Sequence, residues 1–330
     1  MNRQPSVWLS RYAKFVSAST ILLIVAGGLV TSTGSGLSVP DWPTSYGWSM
    51  YTFPLRNMVG GILYEHGHRL IASSVGFLTI VLAFWLWRAE PRRWVRALGF
   101  SALGAVILQG VLGGITVLFF LPTAISTAHA GLAQIFFCLT VAIALVTSPG
   151  WTARPRQGWV DDRMLRRVAT ATTALIYTQI LIGATMRHSD AGLAIPDFPL
   201  VFGGLVPPQW TPQIAIHYAH RVGALIVLAA IAATSGHVWS HHRRRKELIG
   251  PALLLAALVV LQISLGGLIV WTRKDVAVNT AHVITGALVL ATSLVLTLRA
   301  HRGRFGDEQL VAVRVRKPVT PRVDRSEVRA

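Results

Sequence analysis

Eight stretches of this chain are apolar for long enough to cross a bilayer, and that limits the fold more than any other feature. A span needs about 20 mostly apolar residues. In hydrocarbon a segment must satisfy its own backbone polar groups, which leaves helices for runs of this length. The runs cover about 15–33, 65–87, 98–120, 126–146, 168–186, 214–239, 253–271 and 278–298. The expected fold is an all-α integral membrane protein of eight transmembrane helices, arranged as two tandem pseudo-symmetric four-helix bundles. The expected organisation is an inner arm (1–14), a first bundle (15–147), an inner connector (148–167), a second bundle (168–299) and a basic inner tail (300–330). The first run follows Arg11 and Lys14 and is read as a retained span rather than a cleaved leader.

The net charge of +18 would suit nucleic acid, but its distribution argues against that partner. Lys and Arg collect in the arm, in the tail and in three loops: Arg88 to Arg96, Arg154 to Arg167, and Arg243 to Lys246. Basic residues on alternate loops fix topology by the positive-inside rule. They place both termini in the cytoplasm, with anionic lipid as the natural surface partner. Two basic residues, Arg273 and Lys274, fall in a short outer turn against the rule. The single cysteine, Cys138, lies within an apolar run. It permits no intrachain disulfide and no thiolate metal site, and reads as a packing residue.

The chain repeats itself. Gly-Leu-x-x-Pro-Asp-x-Pro occurs from Gly36 and again from Gly192, and His68-Arg69 returns as His220-Arg221. Gln109-x-x-x-Gly113-Gly114 returns as Gln262-x-x-x-Gly266-Gly267, and Thr127-Ala128-His129 as Thr280-Ala281-His282. The order is kept and the offset stays near 153 residues. Four spans per repeat, both starting inside, make a parallel duplication.

His68, His129, His220 and His282 each lie in the first turns of an even-numbered span, so the four imidazoles share one depth near the outer surface. Two histidine pairs, one in each four-helix unit, suit axial ligation of haem. Zinc or copper fits less well, because no cysteine or clustered carboxylate completes such a site. Arg69 and Arg221 follow two of the histidines directly, and a haem edge offers carboxylates to a guanidinium. The two units differ at one place: Glu65 lies one turn before His68, where the second unit has His217. An ionisable group at this depth is a candidate functional group. Glu65 is expected to act as a proton acceptor, with an ion pair to Arg69 as the alternative. His217 is expected to stand beside the second ligand pair. Asp41 and Asp197, between prolines, are expected to organise turns. His66 is expected at an interface on another helix face, and the role of His188 is open.

These motifs together resemble the haem A synthase family over about residues 15–300. The resemblance implies an oxidoreductase of the bacterial cytoplasmic membrane that oxidises the C8 methyl of haem O to a formyl group, through a hydroxymethyl intermediate, to make haem A for terminal oxidases. It implies a resident haem b between His220 and His282, and substrate haem O, or product haem A, between His68 and His129. Glu65 would be the catalytic carboxylate, and Arg69, Arg221 and His217 would be cofactor-binding. Expected partners are haem O synthase, an electron-transfer protein and membrane lipid; a homo-oligomer is open. Some members carry a cysteine pair in the first long outer loop. Residues 31–63 hold none, which rules out redox regulation through that pair. The main alternative is a bis-histidine dihaem electron carrier of the quinol-linked cytochrome b type, which leaves the Glu65/His217 difference unexplained. A transporter with a polar outer vestibule would lack a chain of charges across the bilayer.

Overall fold

The computed structural model describes residues 7–153, 158 and 160–305. Among them nearly all regular structure is helical: α1 (Val7–Ser32), α2 (Gly61–Ala89), α3 (Arg93–Leu118), α4 (Thr123–Val146), a one-turn α5 (Pro149–Thr152), α6 (Arg163–His188), α7 (Pro212–His242), α8 (Lys246–Trp271) and α9 (Val276–Ala300). All but α5 are long and apolar enough to cross a membrane. The helices overrun the apolar runs at several ends. α1 already starts at Val7, within the stretch expected as an arm, because Leu9 and Ala13 pack into the first core cluster. α6 starts at Arg163, five residues before the apolar run, because the Asp162 carboxylate accepts the Leu165 N–H at 2.8 Å and caps its first turn. The expected tail falls outside the described residues from 306 onward.

The contacts follow the duplication. α1 packs on α2 and α4, and α3 on α2 and α4; α6 packs on α7 and α9, and α8 on α7 and α9. The two groups meet through α1, α4, α6 and α9. Half of the most apolar window of α4 and of α9 is therefore buried, the largest share of any span. Away from this seam, Phe77, Phe84, Leu225, Leu253 and Val260 are more than half exposed. Helices that show large apolar side chains on both faces are built for lipid.

The helix starts are written locally. Thr211 caps α7 through the Ile214 N–H, with Pro212 at the first helical position. Asp275 caps α9 through the Ala277 and Val278 N–H groups, both at 3.0 Å. These caps fix the start of the helices that carry His220 and His282.

Candidate functional site

The two long loops, between α1 and α2 and between α6 and α7, fold alike, down to single residues. In the first, the Asp41 carboxylate accepts N–H groups of Tyr46 (2.7 Å) and Gly47 (2.9 Å). In the second, Asp197 accepts those of Phe202 and Gly203, both at 2.8 Å. Tyr46, Gly47, Phe202 and Gly203 all have positive φ, and the carboxylate bonds offset the strain of a left-handed Tyr and Phe. Burial pushes the Asp41 carboxyl up, but bonds from Gly47, Thr44 and Tyr46 outweigh it and hold its pKa at about 2.

Each loop is clamped by the arginine of the repeated motif. Arg69 donates to the carbonyls of Val39 (2.8 Å), Asp41 (2.8 Å) and Thr44 (3.0 Å). Arg221 donates to those of Ile195 (3.2 Å), Asp197 (2.7 Å) and Leu200 (2.8 Å). Most donors of both guanidiniums, expected at a haem edge, are thus committed to the loops.

Under each loop lies one seat, filled differently. In the first half it holds Glu65, which is buried. Its Oε1 accepts Arg69 Nη2 at 2.7 Å and its Oε2 the Val39 N–H at 2.7 Å. In the second half it holds His217, with Nδ1 3.2 Å from the Ile195 nitrogen and Nε2 3.1 Å from Arg221 Nε. A carboxylate accepts both donors, whereas a neutral imidazole has one acceptor nitrogen and can take only one. The Glu/His exchange therefore alters the chemistry of a conserved geometry.

Each of the four histidines faces a glycine on the neighbouring helix. A Cβ on Gly27 of α1 would stand 3.1 Å from His68 Cε1, and one on Gly113 of α3 3.2 Å from His129 Cε1. One on Gly183 of α6 would stand 2.8 Å from His220 Cε1, and one on Gly266 of α8 3.4 Å from His282 Cε1. The glycine pairs divide their work. Gly113 and Gly266 leave room for a histidine, while Gly114 and Gly267 lie against Trp42 and Phe198 of the loops, where any Cβ would collide with the ring.

The histidines can accept a metal-centred ligand. His220 and His282 lie with ring centroids 6.4 Å apart. A metal taking one nitrogen from each ring at ~2 Å needs ring centres roughly 6 Å apart. Nδ1 of His68, of His129 and of His282 is buried without a hydrogen-bond partner. Leaving such an atom unsatisfied costs about 1–3 kcal/mol, so the three are candidates for a ligand. Glutamines hold the rest in place: Gln109 donates to the His129 carbonyl (2.9 Å), Gln179 to the His220 carbonyl (2.7 Å), and Gln262 reaches the His282 ring (3.1 Å). Gln179 also lies 3.0 Å from His220 Nδ1. His68 lacks that partner: the 156-residue offset relating Gly27 to Gly183 puts Leu23 where the second half has Gln179.

Several of these residues were not singled out from sequence. Gly27, Gly183 and Gln179 lie in the repeat, and carrying its alignment back into the first span of each half would have found the glycines. His66 is a correction. It is buried under the loop rather than at a helix interface, with Nδ1 3.0 Å from Ser45 Oγ and its ring 4.8 Å from that of Phe53. Arg187 and His188 end α6 at the seam. Arg187 Nη2 donates to Ser32 Oγ (2.9 Å) and the Gly28 carbonyl (3.2 Å) of α1, with no carboxylate in ion-pair range among the described residues. The His188 carbonyl accepts Thr123 Oγ1 of α4 at 3.0 Å. A lone basic pair at the C-terminal end of a span was the available signal.

Comparison with known proteins agrees with this layout. A protein of Alkalihalophilus pseudofirmus named heme A synthase is 29% identical over 295 residues, which is 88% of this chain and 96% of that protein. Heme A synthases of Geobacillus kaustophilus (27% over 300 residues, 87% and 92% covered) and Lysinibacillus sphaericus (25% over 313 residues, 92% and 99% covered) are similarly related. The family described as cytochrome oxidase assembly protein matches residues 10–294, which takes in most or all of each of the eight long helices, and the chain belongs to that family.

Proposed function

We propose that this chain is a haem A synthase, converting haem O to haem A for a terminal oxidase in a bacterial cytoplasmic membrane. The observation that carries the reading is the exchange of Glu65 for His217 in one duplicated seat. A carrier of two equivalent haems has no use for it, whereas an enzyme with one reactive and one resident haem does. In this reading His68 and His129 hold substrate haem O, and His220 and His282 hold a haem b, whose chemistry when bound is electron transfer. Converting the methyl to a formyl group adds one water oxygen and releases four protons and four electrons. Both termini lie in the cytoplasm, and the histidine pairs lie toward the outer side.

The protein groups then have defined tasks. Glu65 is held by Arg69 and aimed by the Val39 N–H; as a carboxylate it keeps lone pairs on both oxygens for a proton from the methyl group or from attacking water. His217 has no such capacity, and helps anchor its loop. Gln179 would hold the ring of a resident ligand at His220, whereas Leu23 in the corresponding place leaves the His68 ring without that hydrogen bond. Arg69 and Arg221 line the outer edge of the two sites beneath the loops. Arg187 has donors not committed among the described residues, and would be placed to hold a haem carboxylate at the seam. The loops, closed over the seats by Arg69 and Arg221, keep water access narrow.

The test is acid–acetone extraction of protein purified from cells that supply haem O, followed by chromatography and mass spectrometry of the haems. Haem b together with haem O, haem A or a hydroxylated intermediate is expected. Two tightly held haem b per chain, with no haem O or haem A, would instead make it a dihaem electron carrier.

A further inference from the structure

At the end of the second half remote from the histidine pairs, Asp162, His237 and His242 converge. Asp162 Oδ1 caps α6. Its other oxygen, Oδ2, lies 2.8 Å from His237 Nε2 and 2.8 Å from His242 Nε2. One ligand atom from each of the three residues lies within 4.8 Å of the other two. The side chains are largely shielded, at 18% (His237), 14% (His242) and 19% (Asp162) exposure. His241 stacks on His237 with ring centroids 4.4 Å apart and planes at 22°, which holds that ring in place. His242 also lines a cleft of about 330 Å³ with Ser240, His241 and Arg243 to Arg245, a route of entry. Arg243 and Arg244 are exposed there, so water screens their charge. Arg245 reaches the Gly158 carbonyl and Glu247.

The duplication does not account for this cluster. The offset of 152 between His68 and His220 puts Trp85 and Glu90 where His237 and His242 stand. Glu90 pairs there with Arg92 at 2.6 Å. The second half carries two imidazoles and a carboxylate at a place where the first half has an ordinary ion pair.

We propose that Asp162, His237 and His242 form a binding site for a divalent transition-metal ion of the zinc class, with water completing the coordination. Two imidazole nitrogens and one carboxylate oxygen suit zinc and its neighbours, and do not suit magnesium or calcium, which take oxygen ligands. Each neutral imidazole frees Nε2 as a ligand by carrying its proton on Nδ1. The 2.8 Å separations must open by about half an ångström to reach the edge of a tetrahedral site with ~2 Å bonds, a small rotation of either ring. The Leu165 N–H on Oδ1 orients the carboxylate from behind, as outer partners of metal ligands do. The bound ion would lock the start of α6 to the end of α7, the helices whose other ends hold Gly183 and His220.

The full-length protein, purified in detergent and stripped with a chelator, would be titrated with zinc chloride against a chromophoric zinc indicator. Cobalt(II) would serve as a spectroscopic probe. The variants are His237→Gln, His242→Gln and the double variant, since a glutamine amide still donates to Asp162 but ligates poorly. The wild type is expected to bind one zinc per chain in competition with the indicator. Each single variant should bind it at least about tenfold more weakly, the double variant not detectably. Cobalt should give intense visible d–d absorption in the wild type and none in the double variant, and zinc should raise the melting temperature of the wild type but not of the double variant. Haem content, followed in parallel, should not change with the variants. Equal zinc binding by the wild type and the double variant, or no zinc taken from the indicator by the wild type, would overturn the proposal. If the double variant does not fold, Asp162→Asn, which keeps an acceptor for Leu165, gives the same comparison.

Discussion

At the scale of single residues, function rests on what a side chain can accept. Glu65 and His217 meet the same kinds of donor, an arginine and a loop N–H, yet only the carboxylate satisfies both and keeps capacity for a third proton. Glu65→Gln keeps the size and one oxygen acceptor but loses the charge. It is expected to leave haem binding in place and lower haem A formation by about 10²-fold or more, with haem O accumulating on the protein in the extracted-haem assay. The glycines behind the rings set a second expectation. An added Cβ at Gly183 stands 2.8 Å from the His220 ring, closer than the 3.1 Å between one at Gly27 and His68. Gly183→Ala should therefore displace its histidine more, and the pyridine haemochrome assay should show a larger loss of haem b than Gly27→Ala causes in bound haem O.

At the scale of elements, the loops are the parts that the sequence described least. Their Pro-Asp-x-Pro signature announced a repeated turn, and both aspartates do organise one. What holds each turn onto its helix was not legible. Arg69 and Arg221 bind main-chain carbonyls, and any residue supplies a carbonyl, so no pattern marks the partner. The helices were legible for the opposite reason: apolar length is written in side chains, and only their ends moved, where caps such as Asp162 lie in polar sequence. The glycine pairs were legible as close approaches, but not which residue approaches, since Trp42 and Phe198 arrive from loops. The clamp gives a pH expectation. The Asp41 carboxyl titrates at about 2, below its ordinary value, so its contribution to loop stability is complete above about pH 4 and fades as pH falls toward 2. Asp41→Asn removes that contribution at every pH. Limited proteolysis between 33 and 60 at neutral pH should be faster for the variant than for the wild type, and the difference should narrow as the pH approaches 2.

At the scale of the whole molecule, the question is how two similar halves become one device. They meet along α1, α4, α6 and α9, and at the end of that seam nearer the long loops Ser32 of α1 is a shared acceptor. Arg187 reaches it at 2.9 Å, Thr280 at 3.1 Å and Asn279 at 3.2 Å. Thr280 and Asn279 precede His282 by two and three residues, so the node lies within one helical turn of that histidine. A guanidinium there could serve only to tie the halves, or could also hold an anionic ligand. The two roles separate under mutation. Ser32→Ala removes the shared acceptor and leaves the positive charge; Arg187→Gln removes the charge and keeps an amide able to bond Ser32. If Arg187 only joins the halves, Ser32→Ala should be the more damaging change and both variants should melt early. If it holds a haem carboxylate, Arg187→Gln should release haem faster at unchanged melting temperature. It should also lower the midpoint potential of the remaining haem, because a lost positive charge favours the oxidised iron. The second outcome is expected. Most donors of Arg69 and Arg221 are taken up by the loops, and Arg187 lies next to the second pair with donors that no group among the described residues accepts.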